Sequence, residues 1–406
     1  MNRQLAKYLS ATFLATFADR LAQFQLLSIV VLSGPDGSGF GINTFALLFP
    51  LIIWGFGAGA LADWLNKRKL LVVASIARAA LTLMIPTALI GTGAVGPEIA
   101  GFLFLLVSIT VLSWVTGFGI VPEIDAKLRS ANACSMLVAM VATACALVVN
   151  LNLNDLWLPT YNLRFAALLY LAAAIVFSTV KRVQVPVHKA QCMQKHSSLI
   201  MLGGAQKALF KTLYFLYFTN ALPFYMMLSM YLQNSPLNNG TILELFASIA
   251  TGFACGAILM LAFGKHLASS GQIFWNVLLN IALCLSFSIW GTAWSTKPFL
   301  ILLGMLNAVV LIHIDTLAQR IIPPPARAKV YGASMAMSGI GYTLATLVFE
   351  QLAVRYSTVT TLQTFSLTLL ILSGCFLIVS KPKKRGRRRS AIHISAIHRE
   401  AAVVDR

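Results

Sequence analysis

Acidic residues are the scarcest class in this sequence: only 12 of 406 positions are Asp or Glu, and the four charged types together make up 11%. A soluble domain carries about a quarter charged residues, so this deficit excludes an ordinary water-soluble fold. Also missing are a phosphate-cradling Gly loop with its Lys, a His-Glu-x-x-His pair and a nucleophile beside a general base. ATP hydrolysis is therefore not encoded, and the chain is expected not to be an enzyme. The six cysteines make no outer disulfide framework, because Cys134, Cys145, Cys255, Cys284 and Cys375 fall in apolar runs and Cys192 in a polar stretch. Reduced thiols are expected. One spacing, His188, Cys192 and His196, would align three metal ligands on a helix face, but a loop is the expected setting, and no metal or cofactor is expected.

What is abundant is apolar surface: 58% of the residues are hydrophobic, and the mean hydropathy is +0.80. About 20 apolar residues are needed for a helix to cross a bilayer. Apolar runs bounded by charge or by Gly and Pro predict spans at 8–32, 43–62, 70–91, 99–121, 132–150 and 163–180, then at 212–233, 242–263, 272–294, 298–319, 330–350 and 358–380. The fold class expected is an all-α integral membrane protein of twelve transmembrane helices in two six-helix bundles. The first apolar stretch is long and carries Asp19 and Arg20 mid-span, so it is expected to stay as the first helix rather than leave as a signal peptide.

Lys and Arg gather in cytoplasmic loops, and this tests the count. With both termini inside, the outer loops hold only Arg164, Lys297 and Arg355, Arg20 and Arg78 lie within spans, and every other of the 31 basic residues falls on the inner side. One miscounted span would invert that alternation. The net charge of +19 is thus read as topology rather than as a nucleic-acid surface. The basic run at 381–389 follows the last span directly, where it fixes orientation and attracts anionic headgroups.

The expected organisation is an N-terminal bundle at 1–180, a cytoplasmic linker at 181–211, a C-terminal bundle at 212–380 and a basic tail at 381–406. Val121-Pro122 through Arg129 to Asn132-Ala-Cys-Ser-Met echoes Ile322-Pro323 through Arg327 to Gly332-Ala-Ser-Met, at equivalent places in two repeats.

The most specific motif lies between the second and third spans: Gly59, Leu61, Asp63, Asn66, Lys67, Arg68 and Lys69. It resembles the loop signature of the major facilitator superfamily, with Lys67 in place of Arg and Asn66 in place of Gly. Asn66 is expected to supply the left-handed turn of that Gly. Gly59 would permit close helix approach, while Asp63 would cap the next helix and pair with a cation from a neighbour, with Lys67 and Arg68 completing a charged latch. The alternative is an ordinary basic loop. Residues 13–19 in the first span are similar to the start of bacterial drug, siderophore and lysophospholipid transporters of the superfamily. In the seventh span, Thr219, Asn220 and aromatics stand where the lysophospholipid group carries charge.

Charges within spans are costly unless paired or wet. Asp19 is expected to face the central cavity and bind a proton or a cationic group; the alternative is an ion pair with Arg78, and Arg20 points about 100° away. Asn307, His313 and Asp315 fall in the tenth span, which the resemblance places at the cavity, although Asp315 could instead pair with Arg320. Small-residue spacings, Gly55 with Gly59, Gly252 with Gly256, and Gly332, Gly339 and Gly341, predict close helix packing. Aromatics of the seventh span and Trp114 suit an amphiphilic solute.

The resemblance implies secondary active transport by alternating access, with protons as coupling ion and export of a small drug-like or siderophore-like compound. Uptake of a nutrient or metal chelate, lysophospholipid transport and a non-transporting scaffold or sensor stay open. The expected partners are the lipid bilayer, a small-molecule substrate and protons, with no nucleic acid; a monomer in a bacterial cytoplasmic membrane is expected.

Overall fold

The computed structural model describes residues 2–33, 39–85, 97–153, 159–181, 239–264 and 296–356, with shorter helical pieces at 214–215, 217–218, 279, 282 and between 360 and 371. The first six expected spans appear as α1 (Arg3–Ser33), α2 (Gly39–Trp64), α3 (Lys67–Met84), α4 (Pro97–Ile124), α5 (Leu128–Leu153) and α6 (Pro159–Ser178). Then α7 (Asn239–Phe263), α8 (Thr296–Ile321) and α9 (Arg327–Arg355) cover the eighth, tenth and eleventh. Among the described residues every regular element is helical. Bilayer solvent favours that result, since a helix satisfies its own backbone polar groups.

Five described helices hold an apolar stretch long enough to cross a membrane, namely Ile99–Ile124, Leu128–Asn150, Tyr161–Ser178, Glu244–Phe263 and Lys297–Arg320, and Phe49–Trp64 adds a shorter one. Both α1 and α3 carry charge mid-length, at Asp19, Arg20 and Arg78. The linker 181–211 beyond its first residue, the tail 381–406, Asn220 and the His188, Cys192, His196 spacing lie outside the described residues.

Within α1–α6, α1 packs on α5 and α6, α3 on α4 and α6, and α2 on α4. A continuous apolar core includes Leu21, Leu26, Leu103, Leu106, Val111 and Tyr170. Between α1–α6 and α7–α9 the principal contacts are α2 with α9 and α5 with α7. The α2–α9 approach requires glycine: a Cβ on Gly55 would sit 2.5 Å from the Gly332 carbonyl oxygen, and one on Gly59 would sit 2.6 Å from Ala328 O and Lys329 Cα. On the α5–α7 side the filler is Ala133 against Ala257 and Met260. Gly252 and Gly256 have another role, because Cβ atoms there would strike Ile301 O and Met305 O of α8. They join α7 to α8.

Asn66 also departs from expectation. Its backbone is extended (φ −69°, ψ 107°), and its side-chain oxygen caps α3 by accepting the Arg68 and Lys69 N–H groups. Asn serves here as an N-cap rather than as a left-handed turn residue.

Candidate functional site

At the end of the molecule that bears the α2–α3 connection, α2 delivers Asp63 against the start of α9. The Asp63 carboxylate accepts the backbone N–H of Ala328 (3.2 Å) and of Lys329 (2.9 Å). These are two of the four N–H groups that a helix start leaves without intrahelical partners, so one helix is capped by the side chain of another. Charge complements the geometry, as a carboxylate at a helix N-terminus faces the positive end of the dipole. Lys67 turns to α4, with its ammonium 2.6 Å from Glu123 Oε1. The Arg68 guanidinium reaches Val180 O at 3.4 Å, just past α6. Burial pushes the Arg327 guanidinium down from its ordinary value, while Glu123 and Asp63 pull it back up.

Truncating Asp63 removes this cap. Asp63→Ala is expected to weaken the closed contact by about 1 kcal/mol, the usual worth of an N-cap, or about fivefold in the ratio of closed to open molecules. Spin labels at Leu65 and Arg320 in a cysteine-free background should report it as a larger long-distance population.

One layer deeper, a seam of side chains joins α4 and α5 to α8 and α9. Asn132 donates to Thr316 Oγ1 (3.1 Å) and Gln319 Oε1 (2.8 Å), and Gln319 donates onward to Phe118 O at 3.1 Å. The Phe118 ring stacks on Tyr331 with centroids 3.9 Å apart and planes 5° apart. Tyr331 meets Tyr217 nearly at right angles, 6.3 Å between centroids. The Tyr217 hydroxyl donates to Asp315, and Ser338 donates to Tyr217 O at 3.4 Å. Asn307 and His313 are buried on α8. His313 lies in the field of Arg129 and Arg320.

Asp19 occupies a different environment, enclosed by α1, α3, α4 and α6. The Arg78 Nη1 atom donates to both carboxylate oxygens, at 2.9 and 2.7 Å, while Thr110 and Tyr170 hydroxyls donate to Oδ1 at 2.9 and 2.7 Å. Arg78 also rests over the Tyr170 ring, 4.9 Å from its centroid. Arg78 is 1% exposed and Asp19 4%. Arg20, one position on, donates to Gln23 at 2.9 Å.

Sequence reasoning missed Glu123, Thr110, Tyr170, Gln319 and the Phe118–Tyr331 stack. Glu123 had a usable signal, being one of only 12 acidic residues and standing at the end of a span. Nearer the opposite end of the molecule, Phe24 of α1 and Phe246 of α7 meet with centroids 5.0 Å apart. Contacts between α1–α6 and α7–α9 therefore exist on both sides of the seam.

No protein-family model matches the chain, and no curated protein matches it in sequence. Solved structures do match in shape. The human organic anion transporter MFSD10 (TETRAN) superposes with a TM-score of 0.71 at 14% identity, covering 93% of this chain and 100% of its own. A bacterial homologue of the iron transporter ferroportin, in an outward-facing state with soaked iron, gives 0.67 at 13% identity over 94% and 100%. The E. coli fucose:proton symporter FucP gives 0.64 at 15% identity over 93% and 98%. The fold is that of major facilitator superfamily transporters.

Proposed function

We propose that the chain is a multi-pass membrane transporter of the major facilitator superfamily that works by alternating access. Its two six-helix bundles, at 1–180 and 212–380, rock about a central site, and both termini face the cytoplasm. The observation that carries this reading is the Asp63 cap on α9. A carboxylate that closes a helix start in the opposite bundle is a latch, and inward opening must release it. The Phe118–Tyr331 stack and the Asn132–Gln319 bonds lie behind it and would part in the same motion. On the other side, outward opening would part Phe24 from Phe246.

The solutes named for the structural neighbours differ from one another: organic anions, iron, and fucose with a proton. The fold therefore does not choose the solute, and the choice rests on this chain's own side chains. The rings at Phe118, Tyr217 and Tyr331 favour an amphiphilic compound, and proton-coupled export is the direction supported by the resemblance of the first span to exporters. Asp19 is proposed as a fixed post of the N-terminal bundle, because four donated hydrogen bonds already hold its carboxylate.

Proteoliposomes with an imposed pH gradient test this. A panel of labelled anionic, neutral and cationic amphiphiles should include at least one whose flux follows the gradient and collapses in Asp63→Ala. Leu65–Arg320 label distances that stay in one population under every gradient and solute would sink alternating access.

A further inference from the structure

The helical interior holds two carboxylates in opposite electrostatic situations. Asp19 is matched by the Arg78 guanidinium. Asp315 is matched by a neutral group, the Tyr217 hydroxyl. Described ion pairs join Lys67 to Glu123, Arg78 to Asp19 and Lys297 to Glu244, and Asp315 is in none of these. An ionised carboxylate has about four acceptor sites, and among the described residues one hydroxyl donates to it. Asp315 also stands six residues before the end of α8, about 9 Å along the axis. Arg320, five positions on, is rotated about 140° around the helix from it and cannot share its face. A charge so placed costs several kcal/mol unless something cationic arrives.

The surroundings indicate what arrives. Tyr217 reaches the carboxylate, Tyr331 meets the Tyr217 ring and Phe118 stacks on Tyr331, so a chain of three rings from three separate segments leads to Asp315. Aromatic faces carry negative potential and attract cations, most strongly where water is excluded. A carboxylate beside aromatic faces repels anions and gives a neutral sugar few donors. The described residues hold no cluster of three or more His, Cys, Asp or Glu that could take a metal ion. Phe118 belongs to α4 and Tyr331 to α9, so the site spans the surfaces that alternating access would separate.

We propose that this site binds a monovalent organic cation, with its positive centre against Asp315 and its apolar substituents on the rings of Phe118, Tyr217 and Tyr331. Binding stands on the site geometry alone; that the bound cation is the transported solute rests on the transporter reading above.

The probe is radiolabelled tetraphenylphosphonium, equilibrated with the full chain in lipid nanodiscs and corrected against empty discs; tetraphenylborate, its anionic counterpart, is measured in separate samples. Saturable tetraphenylphosphonium binding is expected, with tetraphenylborate at least tenfold weaker. Asp315→Asn should weaken the cation at least tenfold and Asp315→Glu by less than about threefold, each checked for a monodisperse elution profile. Tyr217→Phe removes the competing hydroxyl and should bind at least as tightly as wild type. If Asp315 merely holds the seam together, Tyr217→Phe and Asp315→Asn will lose binding alike, which overturns the proposal. Equal binding of the anion, or wild-type cation binding by Asp315→Asn, overturns it too. So does an absence of cation binding while Asp315→Asn abolishes proton-driven flux, which would make Asp315 a proton site. Flux of anionic or neutral solutes without cation binding would remove this inference and leave transport standing. Cation binding through Asp315 with no solute crossing would leave the site and remove transport.

Discussion

Replacing Asp19 by Asn while Arg78 remains is expected to cost about 3–5 kcal/mol of stability, because removing one partner of a buried ion pair leaves the other charged and unmatched. The guanidinium is almost fully enclosed, and its contacts besides Asp19 are neutral: Ser75 Oγ, Ala74 O and the Tyr170 ring. Unfolding by denaturant in mixed micelles should show the loss directly. Replacing both partners, Asp19→Leu with Arg78→Met, should recover most of it, since no unpaired ion remains. The reverse pattern, wild-type stability in Asp19→Asn with loss of proton-driven flux, would return Asp19 to the role of proton carrier.

The second large effect belongs to the α2–α9 contact. A leucine at Gly332 would force its side chain into the Gly55 carbonyl, with Gly59 Cα only 3.2 Å from the new Cβ. Both obstacles are backbone, so no rotamer relieves the clash. Overpacking of this kind costs about 1–3 kcal/mol or more, and the helices must separate where the Asp63 cap needs them together. Gly332→Leu is therefore expected to reduce flux below detection and to lower the melting temperature. Gly101→Ala is the matched control: a Cβ there meets nothing within 4 Å, and both readouts should be unchanged.

The helices were legible where hydropathy and charge agree. The expected spans 132–150 and 298–319 sit inside Leu128–Leu153 and Thr296–Ile321, because one-dimensional apolar length is what a bilayer selects. The loop motif was legible by residue type, but its acid does not cap the next helix, which Asn66 caps; Asp63 meets a helix start 265 positions away instead. Side-chain partnerships were less so. Arg78 could be named for Asp19 as the other charge in a nearby span, whereas Thr110 and Tyr170, 91 and 151 residues away, are ordinary residues until the fold aims them at one oxygen. Proximity in sequence points Asp315 to Arg320, yet its partner among the described residues is Tyr217, 98 positions earlier. Helix rotation decides that case. Asn66 carried a signal for two conformations, since Asn suits both left-handed turns and N-caps, and the adjoining N–H groups of α3 made the second the better use.

The Asp63 latch closes on main chain, and this sets what each side of the contact can vary. Lys329 contributes an amide hydrogen that almost any residue would supply, so its exposed side chain is free to drift, whereas Ala328 is held to a small residue by the core that encloses it. All the chemical information resides in one carboxylate. Proline alone carries no such hydrogen, and it is tolerated in the first turn of a helix. Lys329→Pro should therefore remove the shorter of the two latch bonds while leaving α9 intact, and because the Ala328 N–H still reaches Asp63, it should loosen the latch less than a change at Asp63 itself.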